Sequence, residues 1–524
     1  MSLWFRRPAW RRAGWIIVIQ CSVALATMIE VASVSAETRL IPLISITETY
    51  DSNVWYAPKE ALAPGLKLDD FVTLANPQLL LAHTGRSFNG SLTLAGVFAK
   101  YVNNSQLDYA GFNASAMMDF LQLGKRMSPR VKALNVYGSY QFTPSASAFG
   151  GGGVGFAGVG FGTTGTVGTL GPFDSGLVTN RVRITSYTGT ANTAYALTPR
   201  TDLQMSYSYS QISFGGQFGV SSPDVQNQLF NTTTHMGQVG INTRLSPRDS
   251  LTTNYSYSIF QQPPLDDFDL HTASLTWSRT WTRQLTSSVG GGAQLIPGFT
   301  DVSSGRPITT KATIGPTATA LITWSSFSST LRDIGPYGAS FGSGLFGGLP
   351  PVPWNVGQGG SFRPGQYAIS LSYNYAVFPS FVAQAGPMHS HVAGAQAQVG
   401  VMDRMTLQVG LNFARSVGTQ QATTFAFDTY GTTASLNYLI TPSFRAALTH
   451  TWLEFADKSP VVISEQGLFA FSKHMVMVSL SYAFTPARGF FRSGAFQDVG
   501  SGSSGGSQRD GSQSSPGGSS GGEK

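Results

Sequence analysis

The side chains with the widest chemical scope are the seven histidines, His83, His235, His271, His389, His391, His450 and His474. Imidazoles ligate zinc or move protons when further ligands or a nucleophile stand beside them. His389 and His391, separated only by Ser390, share one face if the segment is a strand, which places two ring nitrogens side by side. No recognised zinc spacing and no clear third ligand accompany them, so a wet loop pair is the expectation and a metal centre is not. Asp69 and Asp70 are adjacent and point to opposite faces of a strand, which denies them the paired-carboxylate geometry of glycoside hydrolysis. The glycine-rich run from Gly150 to Phe161 lacks the Lys-Ser or Lys-Thr ending and the strand-to-helix context of a phosphate loop. No catalytic residue, metal or cofactor is therefore expected.

The elements that position these residues have a period of two. Leu203, Met205, Tyr207 and Tyr209 alternate with Gln204, Ser206, Ser208 and Ser210, which segregates apolar and small polar groups onto opposite faces of a strand. The pattern recurs around Tyr255 and Tyr257, from Tyr367 to Tyr375, and from Leu407 to Phe413. A soluble sandwich would carry Lys and Glu on its outward face. Here the polar face is Ser, Thr, Asn, Gln and Gly, which suits the lumen of a membrane barrel whose other face meets lipid. Asn254, Asn374 and Asn412 fall on that polar face, and Arg181 and Arg183, opposite Val182 and Ile184, offer a basic lumen patch. These five are the candidate lumen-lining residues, the arginines having ordinary wall or rim positions as the alternative.

Composition agrees with this reading. Only 11% of the 524 residues are charged, against about a quarter in ordinary soluble domains. The net charge of +7 includes Arg6, Arg7, Arg11 and Arg12 at the start of the chain, and no basic stripe follows, so nucleic acid is excluded as a partner. Residues 1–36 have a basic start, an apolar stretch from Trp15 to Met28 and small residues at Val34-Ser35-Ala36, the pattern of a cleaved secretory signal, with a membrane anchor as the alternative. Cleavage removes the only cysteine, Cys21, and leaves 29 basic and 25 acidic residues. No later run approaches the roughly 20 apolar residues of a membrane helix, so a closed sheet is the spanning structure that satisfies every backbone group.

Turn residues divide the chain into hairpins with unequal ends. Short connections fall at Ser128-Pro129-Arg130, Thr198-Pro199-Arg200, Ser246-Pro247-Arg248, Met402-Asp403-Arg404 and Thr441-Pro442-Ser443. Long ones occupy about 51–68, 145–178, 215–229, 334–366 and 457–470, and barrel convention assigns them all to the outer rim. The expected fold is all-β, a transmembrane antiparallel β-barrel of 18 strands within a range of 16 to 20, because an even number keeps both termini on one rim. The domain plan is a signal over 1–36, a barrel over 37–484, and a flexible Ser/Gly-rich tail over 485–524. Trp277 and Trp452 are expected to seat the barrel at the membrane boundaries. Arg279, Arg283, Arg404 and Arg445 near strand ends are expected to cap wet turns, with lipid headgroups as the alternative.

The segment Thr47-Glu48-Thr49-Tyr50-Asp51-Ser52-Asn53-Val54, followed by Asp69-Asp70-Phe71 and the strand region ending at Phe484, resembles a family of bacterial outer-membrane β-barrels. Some members of that family are associated with exopolysaccharide or surface-protein export. The terminal strand, with Val476, Val478, Leu480, Tyr482 and Phe484 on one face, resembles the recognition strand of outer-membrane proteins. What the resemblance implies is a porin-like or export-associated protein of the bacterial outer membrane, with no catalytic assignment. Its expected partners are outer-membrane lipids, the barrel-assembly machinery, and a hydrophilic solute or exopolysaccharide; oligomeric state is left open. The functional expectation is a channel for hydrophilic solutes or for surface-polymer export. A nonconducting scaffold that binds polysaccharide or envelope proteins is the principal alternative, and an outer-membrane hydrolase is the third class, for which no nucleophile can be chosen.

Overall fold

A computed structural model describes residues 37–55, 59, 65–146, 181–218, 231–261, 263, 267–296, 300–301, 308–309, 312–326, 364–379, 387–420, 423–441, 443–458 and 470–484. The expected signal, the tail and the Gly150–Phe161 run lie outside them. In chain order the strands are β1 (Glu37–Asp51), β2 (Asp70–Thr84), β3 (Asn89–Tyr101), β4 (Tyr109–Asp119), β5 (Val131–Ala146), β6 (Arg181–Thr198), β7 (Thr201–Phe218), β8 (Thr232–Arg244), β9 (Asp249–Gln261) and β10 (Phe268–Thr280). They continue with β11 (Leu285–Ile296), β12 (Thr300–Asp301), β13 (Ile308–Thr309), β14 (Thr313–Ser325), β15 (Tyr367–Pro379), β16 (Pro387–Met402), β17 (Met405–Gln420), β18 (Thr423–Thr441), β19 (Phe444–Asp457) and β20 (Phe471–Ala483). β12 and β13 make a separate two-residue ladder, and the others form one 18-stranded sheet. Every pairing in that sheet is antiparallel between chain neighbours except the last, where β1 pairs with β20 from Leu43↔Ala483 to Asp51↔Met475 and closes the barrel. Closure leaves no sheet edge with unpaired donors and acceptors.

The alternation read from the sequence becomes an inside and an outside. In β20 every odd-numbered residue from Phe471 to Ala483 is buried and every even-numbered one is exposed, so Val476, Val478, Leu480 and Tyr482 form an apolar outer surface. Cross-strand partners share a face, which carries the assignment around the ring: Leu407, Val409 and Leu411 of β17 face out, and Gln408, Gly410 and Asn412 face in. Two aromatic belts flank the outer apolar band. Trp277, Trp281, Trp324, Tyr367, Tyr482 and Phe484 lie toward the rim that carries the chain ends. Tyr50 packs 5.2 Å from Phe71 toward the opposite rim, where Trp452 also lies. Trp277 and Trp452 thus sit at opposite ends of the wall.

Three of the short connections share one local device. In the turns ahead of β5, β7 and β9, a Ser or Thr hydroxyl accepts the backbone N–H of the arginine two residues on: Ser128 to Arg130 at 3.3 Å, Thr198 to Arg200 at 3.2 Å and Ser246 to Arg248 at 3.0 Å. The intervening proline supplies a fixed φ and removes a donor that the turn has no use for. One connection on this rim is helical, α1 (Leu121–Met127), between β4 and β5.

Strand direction corrects one expectation. β14 descends to the rim of the short turns and chain ends, and β15 rises from it, with Ser326 and Tyr367 hydrogen-bonded at the base. The long connection at 334–366 therefore leaves from that rim and not from the rim of the other long connections. Its Gly/Pro-rich composition resembles theirs, but only the count of intervening strands fixes its side. Its residues before 364 lie outside the described ones.

Candidate functional site in the barrel interior

Three sectors define the inner wall. Along β7 to β10 the inward positions carry Gln204, Ser206, Ser210, Gln238, Ser256 and Thr272, and the same hydroxyl and amide chemistry continues through Thr319, Ser370 and Gln396. Asn254, Asn374 and Asn412 all take inward positions on this wall. Arg181 and Arg183 occupy β6 positions alternate to Ile184 and Ser186, and their side chains lie outside the described residues. Among the strand-end arginines, Arg445 shares the inward face with Ala447 and Thr449, whereas Arg279 lies outside, 4.5 Å over the Trp281 ring, and Arg404 donates to the Ile440 carbonyl at 3.3 Å.

Glycines opposite Asn254 and Asn412 leave room for these two side chains on the wall. A Cβ at Gly240 would lie 2.1 Å from Asn254 Oδ1, and one at Gly431 would lie 2.2 Å from Asn412 Oδ1. Each asparagine can rest against the neighbouring strand because its partner has no side chain. Gly431→Ala is therefore expected to push the Asn412 carboxamide off the wall toward the lumen. The displaced atom is the tip of a side chain, so the cost should stay near the low end of overpacking, about 1 kcal/mol in a denaturant titration.

Several fixed charges inside are paired or held by hydrogen bonds. Lys473 of β20 and Asp51 of β1 meet at 2.7 Å with side chains 1% and 7% exposed. Asp51 also accepts the Asn53 N–H at 2.9 Å. One strand further on, Asp70 is fully buried and accepts the backbone N–H groups of Phe71, Asn103 and Asn104 and both side-chain amides of Asn103 and Asn104. Lys132 pairs with Asp202 near the other rim. These donors satisfy both oxygens of the buried carboxylate, which explains how Asp70 is accommodated in the wall.

These charges anchor chain that folds inward. Val54 and Trp55, just after β1, pack with Leu107 of a 3₁₀ turn against Val72, Leu74, Ala99 and Tyr101, all on the inner face of β2 and β3. Trp55 Nε1 donates to the Lys67 carbonyl at 2.9 Å, and the Val54 N–H donates to Leu68 at 2.8 Å, which ties the two ends of this connection together. The Thr47-to-Val54 and Asp69-to-Phe71 segments singled out in the sequence thus flank one connection whose described ends pack on the inner face. Toward the same rim the interior turns apolar at Ile212, Phe260, Leu270, Val392, Phe455 and Phe471, with Phe455 and Phe471 stacked at 5.9 Å. This collar was not anticipated, although the inward series Asn254, Ser256, Ser258, Phe260 contains its signal: the face stays the same and the chemistry changes at the strand end.

His389 and His391 lie within strand β16 and not in a loop; they share its outer face and hydrogen-bond Tyr375 at 3.1 Å and Tyr373 at 2.9 Å. No group of three metal-ligating side chains occurs among the described residues.

The architecture is that of a closed, 18-stranded antiparallel barrel with a hydroxyl- and amide-lined interior. No family model and no curated protein matches the chain. Among solved structures it is similar to the outer membrane protein opdK from Pseudomonas aeruginosa, at 11% identity and a TM-score of 0.39, over 85% of this chain and 99% of that one. It is also similar to Pseudomonas aeruginosa OccK2 (OpdF), at 8% identity and 0.39 over 85% and 98% of the two chains, and to Acinetobacter baumannii OccAB3, at 8% and 0.38 over 85% and 99%.

Proposed function

We propose that the chain is a porin-like channel of the bacterial outer membrane, through which hydrophilic solutes diffuse without chemical turnover. The observation that carries this reading is the contrast between the two sides of one closed sheet: Ser, Thr, Asn and Gln inside, Leu, Val and Tyr outside. A hydroxyl and carboxamide wall supplies donors and acceptors that replace water around a polar solute without holding it by charge. Asp51–Lys473 and Lys132–Asp202 each pair opposite charges, so these two sites add little net field to the path. The apolar collar and inward loop narrow the path toward one rim, and selection by size belongs there. Assistance to export of a surface polymer uses the same polar path and the same orientation. The outer lipids and the barrel-assembly machinery are the partners this reading requires, the latter acting on β20 with its terminal Phe484.

Planar-bilayer recording of the folded full chain tests the proposal. Stepwise, protein-dependent conductance is expected, and Asn412→Lys, which adds a cation to the inner wall, should move the reversal potential toward anion selectivity in a salt gradient. A correctly folded chain that carries no current in repeated insertions would favour the scaffold alternative.

A further inference from the structure

The outer wall carries a repeated arrangement that solute passage does not use. Tyr207 of β7 hydrogen-bonds His235 Nδ1 of β8 at 2.8 Å, and the ring of Tyr209, the direct cross-strand partner of His235, lies 5.1 Å from the imidazole. The arrangement recurs with Tyr255 bonded to His271 at 2.8 Å and Tyr257 at 4.8 Å. It recurs again with Tyr373 bonded to His391 at 2.9 Å and Tyr375 at 4.5 Å. In each case a Tyr-x-Tyr pair on a strand rising toward the long-loop rim holds a histidine of the next strand. All of these side chains face outward and are half-buried or exposed, and they sit where the apolar band gives way to polar residues.

We propose that these three Tyr–His units form a collar that binds phosphate-bearing lipid headgroups in the leaflet at the long-loop rim. The inference rests on the reading of the barrel as membrane-embedded. A tyrosine hydroxyl on Nδ1 fixes the ring plane and commits the other nitrogen, Nε2, to a partner outside the protein. When the hydroxyl donates to Nδ1, the neutral ring carries its proton on Nε2 and presents a donor to a headgroup oxygen. When the ring is protonated, the hydroxyl accepts from Nδ1 and the outward edge becomes cationic, which matches a phosphate anion.

The surroundings are charge-sparse. His235 is faced by Tyr207, Tyr209 and Ile259, and Gln211 holds the Tyr209 hydroxyl. His271 is faced by Tyr255, Tyr257 and Leu295, with Asp269 accepting the Tyr257 hydroxyl at 3.0 Å. His391 is faced by Tyr373, Tyr375 and its cross-strand neighbour Arg415, with His389 on the same strand face and Asp428 at 3.9 Å from Arg415. Protonation of the three rings therefore gives this belt an excess of positive over negative charge, and a phosphate is the anion a membrane surface supplies to it.

The test uses the full chain reconstituted in phosphatidylcholine vesicles containing a minor fraction of phosphatidate. Insertion is verified by heat-modifiable gel mobility, and retained lipid is read by native mass spectrometry in a mildly acidic and in a mildly alkaline buffer. Phosphatidate loses charge on acidification, so any gain in its retention must come from the protein. A severalfold gain at the lower pH is expected, together with loss of that gain in the His235→Gln, His271→Gln, His391→Gln triple variant. A pH-independent ratio in the unaltered chain, or an equal gain in the inserted triple variant, overturns the collar. Failure of the unaltered chain to insert overturns the membrane reading itself, so the two failures are distinguishable.

Discussion

Leu411→Arg is expected to lower the unfolding free energy by about 2–4 kcal/mol in lipid vesicles, the cost of a cation at the middle of a barrel's lipid face. Asn412→Arg, one residue further along β17, is expected to cost less than about 1 kcal/mol and to shift ion selectivity instead. The two positions have nearly the same depth and strand environment but opposite faces: Leu411 pairs with Ala395 and Thr432 on the outer surface, where it is 52% exposed, and Asn412 pairs with Gly394 and Gly431 on the inner one. Reversible urea unfolding of both variants in the same vesicles is the measurement. Equal costs, or the larger cost at Asn412, would remove the assignment of lipid and lumen on which the proposed channel depends.

The second large effect concerns the interior. Lys473→Met removes the cation from a pair in which both partners are nearly inaccessible and leaves Asp51 without its counter-ion. Breaking one side of a buried pair costs about 3–5 kcal/mol, because the remaining charge is neither solvated nor compensated. The same unfolding assay should record that loss, and added salt should alter it little, since screening acts weakly on buried charges. Asp51→Asn combined with Lys473→Met should recover most of the lost stability, as no isolated charge remains. If Lys473→Met alone is neutral, the pair is not the clamp between the first and last strands that its position across the closing seam implies.

How much of this was legible beforehand follows from the range of each interaction. Alternation is a property of neighbouring residues, so the series from Leu203 to Ser210 already separated an inside from an outside, and the structure maintains that separation. The Ser/Thr-Pro-Arg turns were equally local, because their hydrogen bonds span two residues. Parity alone set the three asparagines on the polar face of their strands. The fit of Asn254 against Gly240 and of Asn412 against Gly431 was not legible, since the glycines come from other strands whose register the sequence does not show. Asp51 and Asp70 stood out as part of a motif without revealing their partners, which lie at Lys473, Asn103 and Asn104. The histidines drew attention as metal ligands on a shared face. Their tyrosine partners were visible only once each Tyr-x-Tyr pair was set beside its neighbouring strand.

The sequence by itself determined an all-β chain with one apolar and one polar side and an even number of strands near 18, because burial and turn chemistry act over a few residues and leave a periodic trace. The tertiary structure alone decided that β1 closes on β20, that Asp51 meets Lys473, that Val54 and Trp55 pack on the inner face of β2 and β3, and that the Gly/Pro-rich segment before β15 leaves from the rim of the chain ends. Each of these depends on bringing together residues from strands far apart in the chain, and a pairing across that distance is fixed by register and closure, which no local pattern encodes.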